Sequence, residues 1–149
     1  MTTLTREWTT HSAEETIAAG AEIAALLKPP VLLVLRGGLG AGKTTLVKGI
    51  AQALGAAEAD EVTSPTFTLV HEYEGSRNGA ALALYHLDLY RLESERQLAT
   101  VGWEEMLSEK AIVLVEWGEK FPVVAARADG EIALEGAGDE RTIRLTFKG

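Results

Sequence analysis

Between the apolar run Val31-Leu32-Leu33-Val34-Leu35 and a second run in which Leu46, Val47, Ile50, Ala51 and Leu54 recur lies Gly37-Gly38-Leu39-Gly40-Ala41-Gly42-Lys43-Thr44-Thr45. The first run is apolar at every position, as required of a central parallel strand covered on both faces. The second repeats at three- and four-residue spacing, which is one face of a helix. A glycine loop of the form G-x-x-x-x-G-K-[ST] between a strand and a helix is a phosphate-binding loop, and few folds supply that context.

Each residue type in the loop has a physical task. Glycines open backbone conformations closed to residues with a Cβ and let successive N–H groups approach an anion. The N-terminus of the following helix adds unpaired donors and the positive end of its dipole. Gly38, Leu39, Gly40, Ala41, Gly42, Lys43, Thr44 and Thr45 therefore form the expected phosphate cradle. Lys43 is expected at the β- and γ-phosphates, and the Thr44 hydroxyl on a Mg²⁺ that bridges them. A nucleoside triphosphate with Mg²⁺ is the implied ligand. No N-K-x-D guanine reader is present, which favours ATP.

The chain of 149 residues has room for one full core, so residues 1–149 are read as one P-loop ATPase domain. No apolar run approaches the roughly twenty residues needed to span a bilayer, and the polar start does not resemble a signal peptide. There is no cysteine, hence no disulfide framework and no thiolate metal site. These features predict a cytoplasmic protein with no membrane contact. The formal net charge of -8, with scattered basic residues, argues against a direct general grip on nucleic acid.

In chain order, Thr3 to Thr10 is a candidate edge strand. Ser12-Ala13-Glu14-Glu15 has the spacing of a capping box and opens a helix that Lys28-Pro29-Pro30 ends. Val62-Thr63-Ser64-Pro65-Thr66-Phe67 cannot be a helix interior. It is either a strand entry or a switch in which Thr66 completes Mg²⁺ coordination while a γ-phosphate is present. The runs 67–73 and 81–88, joined through residues 74–79 with an Asn-Gly pair, predict an antiparallel hairpin. Asp88 leaves the end of its second strand, where an acid that holds Mg²⁺ is expected, or else a turn or cap aspartate.

Residues 92–107 are helical in character and broken at Gly102. Ala111-Ile112-Val113-Leu114-Val115 is the second continuous apolar run, and Glu116 at its end is placed to orient an attacking water or assist at the metal. Trp117 reads as core or rim packing, and Pro122 as the end of the short piece that follows. The alternating tail across residues 135–140 predicts a terminal, structural hairpin. His11, His71 and His86 show no zinc spacing and receive no role. Together these elements predict an α/β protein, a three-layer P-loop NTPase fold with a mixed, partly parallel sheet.

Four blocks in this order resemble one family. They are Gly40-Ala41-Gly42-Lys43-Thr44-Thr45, Ser64-Pro65-Thr66-Phe67-Thr68-Leu69-Val70, His86-Leu87-Asp88-Leu89-Tyr90-Arg91-Leu92 and Val115-Glu116-Trp117-Gly118-Glu119. The resemblance, over nearly the whole chain, is to the bacterial TsaE (YjeE) proteins, P-loop ATPases of tRNA threonylcarbamoyladenosine biosynthesis. It implies a slow ATPase that works with TsaB and TsaD, with tRNA held through that complex. Carried onto this chain, it implies Mg²⁺ at Thr44 and Asp88, and Glu116 at the metal or on the hydrolytic water. It also implies a γ-phosphate switch at residues 64–67 and Trp117 near the nucleotide. Gly38 stands where the family pattern has aspartate. Two other readings are a small-molecule P-loop kinase, which would need an arginine-rich lid that is not evident, and a module that binds nucleotide without turning it over.

Overall fold

Alternation along the strands decides how the sheet is covered. The structure, a computed structural model, describes residues 4–38, 41–57, 61–63, 69–108 and 110–148. The elements are β1 (Leu4–Thr10), α1 (Ala13–Leu26), β2 (Val31–Arg36), α2 (Lys43–Ala53), β3 (Val70–Arg77) and β4 (Ala80–Asp88), then α3 (Glu95–Val101), β5 (Ala111–Glu116), a 3₁₀ turn (Gly118–Lys120), α4 (Pro122–Arg127), β6 (Gly130–Ala137) and β7 (Glu140–Phe147). They form a mixed seven-stranded sheet in the order β1-β7-β6-β2-β5-β4-β3. β4, β5, β2 and β6 run parallel, while β3, β7 and β1 join as antiparallel neighbours.

The two apolar runs are β2 and β5, paired in the middle of the sheet and buried on both faces. Leu33, Leu35, Leu84 and Leu114 face α1 and α2, packing on Ile23, Leu46 and Ile50. Leu32, Val34, Leu87 and Val113 face the other way, onto Leu98, Phe121 and Val124. Helices therefore cover both faces, giving the three layers expected of the P-loop NTPase fold.

Local chemistry sets the ends of the elements. Ser12 Oγ accepts from the Glu15 N–H at 3.1 Å, the first half of the capping box. Glu15 returns its carboxylate to the N–H of His11 at 2.8 Å, one residue before the position the motif predicts, and still closes the same turn. At the other end of α1, Arg77 donates to the carbonyls of Leu27 and Ala24, a cation on the negative end of the helix dipole. β3 extends to Arg77, so the connection to β4 is only Asn78-Gly79, and both take the positive φ that a tight hairpin turn requires. The strand runs on through Gly75 because the end of α2 lies against it, with the Ser76 N–H donating to the Leu54 carbonyl.

Two expectations change. The helical stretch 92–107 contains a helix only from Glu95 to Val101, capped by Ser94 and stopped at Gly102 in the left-handed region. Pro122 does not end a piece of chain but begins α4, at the first helical position, where the missing N–H costs nothing.

The loop helix α2 is seated on α1 through glycine. A Cβ on Gly49 would fall inside the contact distance of the Ile17 carbonyl, and one on Gly20 would meet the Leu46 carbonyl. Gly49→Ala is expected to lower stability by roughly 1–3 kcal/mol through this overpacking, read from the denaturant midpoint. A midpoint equal to wild type would show that the helices do not need this approach.

Candidate functional site

The three strands β2, β5 and β4 are adjacent and parallel, so their carboxyl ends open on one edge. Glu116 is opposite Leu35 of β2 on one side and opposite Asp88 of β4 on the other. The chain leaving β2 passes Gly37 and Gly38 and enters α2 at Lys43, with Gly42 as its N-cap at φ 100°. That left-handed conformation is the one place in the described part of the loop where glycine is required by backbone geometry. At Gly38 an added Cβ would meet nothing within 4 Å. A Cβ is accommodated here, so glycine at this position is not a steric demand at that atom.

Lys43, Glu116 and Asp88 are brought to this edge as expected. Lys43 Nζ is 3.0 Å from Glu116 Oε1, and both side chains are largely buried. Asp88 is buried and accepts from the Tyr90 N–H at 2.9 Å through Oδ1. This is the turn role that the sequence offers as the alternative to holding Mg²⁺. Thr44 and Thr45 open α2 beside Lys43. Ala41 is buried under the loop. Leu39 and Gly40 lie outside the described residues, as do Ser64 to Thr68, including Thr66 of the candidate switch. The residue after that segment, Leu69, has a positive φ of 70° and its carbonyl accepts from the Asp88 N–H at 2.9 Å.

Trp117 is at the site rather than in plain core packing. It follows Glu116 at φ 64°, a strained conformation for a bulky side chain. Its ring lies 5.6 Å from Lys43 Nζ, within range of a cation–π contact. Tyr90, more than half exposed, packs on the outer side of Trp117 with ring centroids 5.0 Å apart. Lys120 donates to the carbonyls of Tyr90 and Leu92 at 2.8 Å and so ties the chain after Asp88 to the turn after Glu116.

Two parts of the site carry no local sequence signal. His86, given no role on sequence grounds, is fully buried and bonds Glu116 Oε2 through Nε2 at 2.5 Å. Its sequence signal is the two-residue period of β4, which puts it on the face shared by Asp88. The terminal hairpin, read as structural, brings Asp139 and Arg141 beside the loop. With Ser12, Thr16, Gly42 and Thr45 they line a cleft of about 190 Å³.

Burial alone would raise the Glu116 carboxyl, but the hydrogen bond and charge of His86, and then those of Lys43, outweigh it and hold the group below the usual glutamate range. Glu116 is therefore the ionised centre of the site. Among the described residues no group of three or more His, Asp or Glu side chains forms a ready metal site. Thr44 and Asp88 supply the hard oxygen donors that suit Mg²⁺. An ion that takes most of its ligands from phosphates and water needs only one or two carboxylates from the protein.

A family comparison decides which branch of the fold this is. The profile of the threonylcarbamoyl adenosine biosynthesis protein TsaE matches residues 10–143. The chain belongs to the TsaE family. The TsaE protein of Bacillus subtilis is 40% identical over 144 residues, covering 96% of this chain and 86% of its own. That of Aquifex aeolicus is 43% identical over 117 residues, covering 78% and 80%. A crystal structure of Bacillus subtilis YdiB superposes with a TM-score of 0.68 at 33% identity, covering all of this chain and 89% of that one. TsaE proteins are named for tRNA threonylcarbamoyladenosine biosynthesis, and this chain shares that family role. Among the described residues no helix is long and apolar enough to cross a membrane.

Because Glu116 is held below its ordinary range, its contacts stabilise the fold above the unfolded value of about 4.3 and are lost as pH falls through the depressed folded value. The stability of wild type relative to Glu116→Gln should therefore shrink as a denaturation series is carried from neutral pH to about pH 3. A difference that stays constant over that range would show that Glu116 is not ionised against His86 and Lys43.

Proposed function

We propose that this TsaE-family chain is a Mg²⁺-dependent ATPase that serves tRNA threonylcarbamoyladenosine formation as a nucleotide-dependent switch on the TsaB–TsaD complex. The observation that carries the reading is Lys43, at the N-terminus of α2, paired at 3.0 Å with a buried Glu116 whose register neighbour is Asp88. Cation, helix N-terminus and two acids at adjacent strand ends are the parts that triphosphate hydrolysis requires.

On this reading the phosphates lie over the loop from Gly38 to Thr45, with Lys43 moving from Glu116 to the β- and γ-phosphates. Thr44 and Asp88, with Glu116 alongside, would hold Mg²⁺, which supplies neutralisation of the phosphate charge. Glu116, released from Lys43, turns Oε1 to the attacking water. The nucleoside end extends past Thr45 into the cleft between Ser12 and Arg141, which is of a size to take a purine. Trp117 lies against the Lys43 side of the phosphates. The chain acts in the cytoplasm and meets tRNA only through its partners. Its net charge of -8 is in keeping with that.

Glu116 and a phosphate compete for the same cation, which separates two variants. Lys43→Ala removes a charged contact and leaves Glu116 Oε1 facing the ligand without its cation. Triphosphate binding should weaken on the order of 10- to 100-fold by calorimetry, with the fold intact. Glu116→Ala frees Lys43, so binding should hold or tighten while turnover falls on the order of a hundredfold. Unchanged ATP affinity in Lys43→Ala would remove the proposal, and wild-type hydrolysis in Glu116→Ala would remove the role of that residue.

The partner claim has its own measurement. Purified TsaB and TsaD should raise the ATP turnover of this chain, and a second round of tRNA modification should require it. Turnover indifferent to both proteins, with phosphate passed to a small acceptor instead, would favour a kinase.

A further inference from the structure

Packing does not explain the histidine behind Glu116. His86 is completely buried, flanked in its strand by Leu84 on the same face and paired in register with Leu114 of β5. Its Nδ1 has no hydrogen-bond partner among the described residues. A buried polar atom left unpaired carries a desolvation cost, and an apolar side chain on this leucine-lined face would avoid it. What the imidazole does offer is one contact, Nε2 to Glu116 Oε2 at 2.5 Å. A carboxylate oxygen accepts, so the geometry of this bond calls for an Nε2–H donor.

The two oxygens of Glu116 are thus divided. Oε2 is held from inside the sheet by β4, and Oε1 faces Lys43 at the mouth. Lys43 can leave for a ligand, because it sits on a flexible stem at a helix terminus. His86 cannot, because it is packed within a strand. We propose that His86 is a positioning residue for ATP hydrolysis: by fixing Oε2 it keeps Oε1 presented to the nucleotide site after Lys43 has moved away. The proposal deepens the ATPase reading and rests on it. It also accounts for an imidazole in a position that packing alone would give to leucine. A carboxylate with both oxygens free would sample several rotamers when the lysine departs, and second-sphere partners of this kind commonly contribute ten- to hundredfold.

His86→Gln keeps a neutral N–H donor where Nε2 stands, and His86→Leu removes it. The expected result is that His86→Leu lowers ATP turnover roughly ten- to hundredfold with triphosphate affinity unchanged, while His86→Gln recovers most of the rate. Placed in a Glu116→Ala background, His86→Leu should add no further loss, because the histidine acts only through that carboxylate. In the nucleotide-free protein, nitrogen NMR of the imidazole should show the proton on Nε2.

A His86→Leu protein that hydrolyses ATP at the wild-type rate, while Glu116→Ala does not, overturns the proposal and leaves the ATPase reading intact. A proton found on Nδ1 with none on Nε2 does the same, since Nε2 could not then donate. If His86→Leu does not fold, His86→Gln decides: a folded His86→Gln protein that has lost its turnover overturns the positioning role. A wild-type chain that never hydrolyses ATP, with or without partner proteins, removes the ATPase reading and this proposal together.

Discussion

The buried carboxylate of Glu116, held between the Lys43 ammonium and the His86 imidazole, is the contact on which the rest of the structure depends. Taking ions out of water costs several kcal/mol apiece, and a buried pair roughly breaks even against well-packed apolar residues. Such a pair adds little to stability, so its place at the open end of the sheet calls for another explanation. The strand order supplies it. β2 must sit beside β5 to bring Lys43 to Glu116, and β5 beside β4 for His86 to reach the same carboxylate and for Asp88 to stand next to it in register. A different order of the same strands would scatter these groups along the edge.

Around that contact the backbone is tied down, while the charged side chain at the mouth is able to move. The Leu89 N–H donates to the Glu116 carbonyl, and Lys120 clamps the chain between Tyr90 and Leu92. Trp117 keeps a left-handed conformation that costs on the order of 1 kcal/mol or more, which persists because its neighbours hold it there. On the other side α2 is lodged against α1 by Gly20 and Gly49, so the first turn that carries Lys43 has a fixed seat. Rigid support with one long, flexible cation is suited to a site that exchanges one anionic partner for another.

What was legible in the sequence was local. β2, the glycine loop and α2 are contiguous, and the places of Gly42 and Lys43 at the start of α2 follow from neighbours within a few residues. Glu116 and Asp88 could be placed because each ends an apolar run, and strand ends on one edge meet whatever the intervening chain does. His86 was invisible for the opposite reason. Its partner is thirty positions away and its ring is turned inward, so only strand order and the two-residue period together reveal it. Asp139 and Arg141 were missed likewise, since a hairpin with clean alternation looks complete in itself. Only the β6–β2 pairing brings its turn to the loop. α4 was hidden because a proline marks both the end of one element and the first residue of another.

A switch requires a contact that differs between its two states, and a ligand shifts the balance only by its differential affinity for them. On the proposed reading that contact is Lys43, paired with Glu116 in the free chain and with phosphate in the bound one. The change need not travel far to reach the surface. Lys43 lies over Trp117, Trp117 packs on Tyr90, and Tyr90 is more than half exposed. When Lys43 departs, Trp117 loses the cation that helps hold its strained conformation, and the exposed ring stacked on it loses part of its support. An acidic chain would then report its nucleotide state to a protein through an aromatic rim beside Lys43. This is a shorter route than any rearrangement of the sheet would offer.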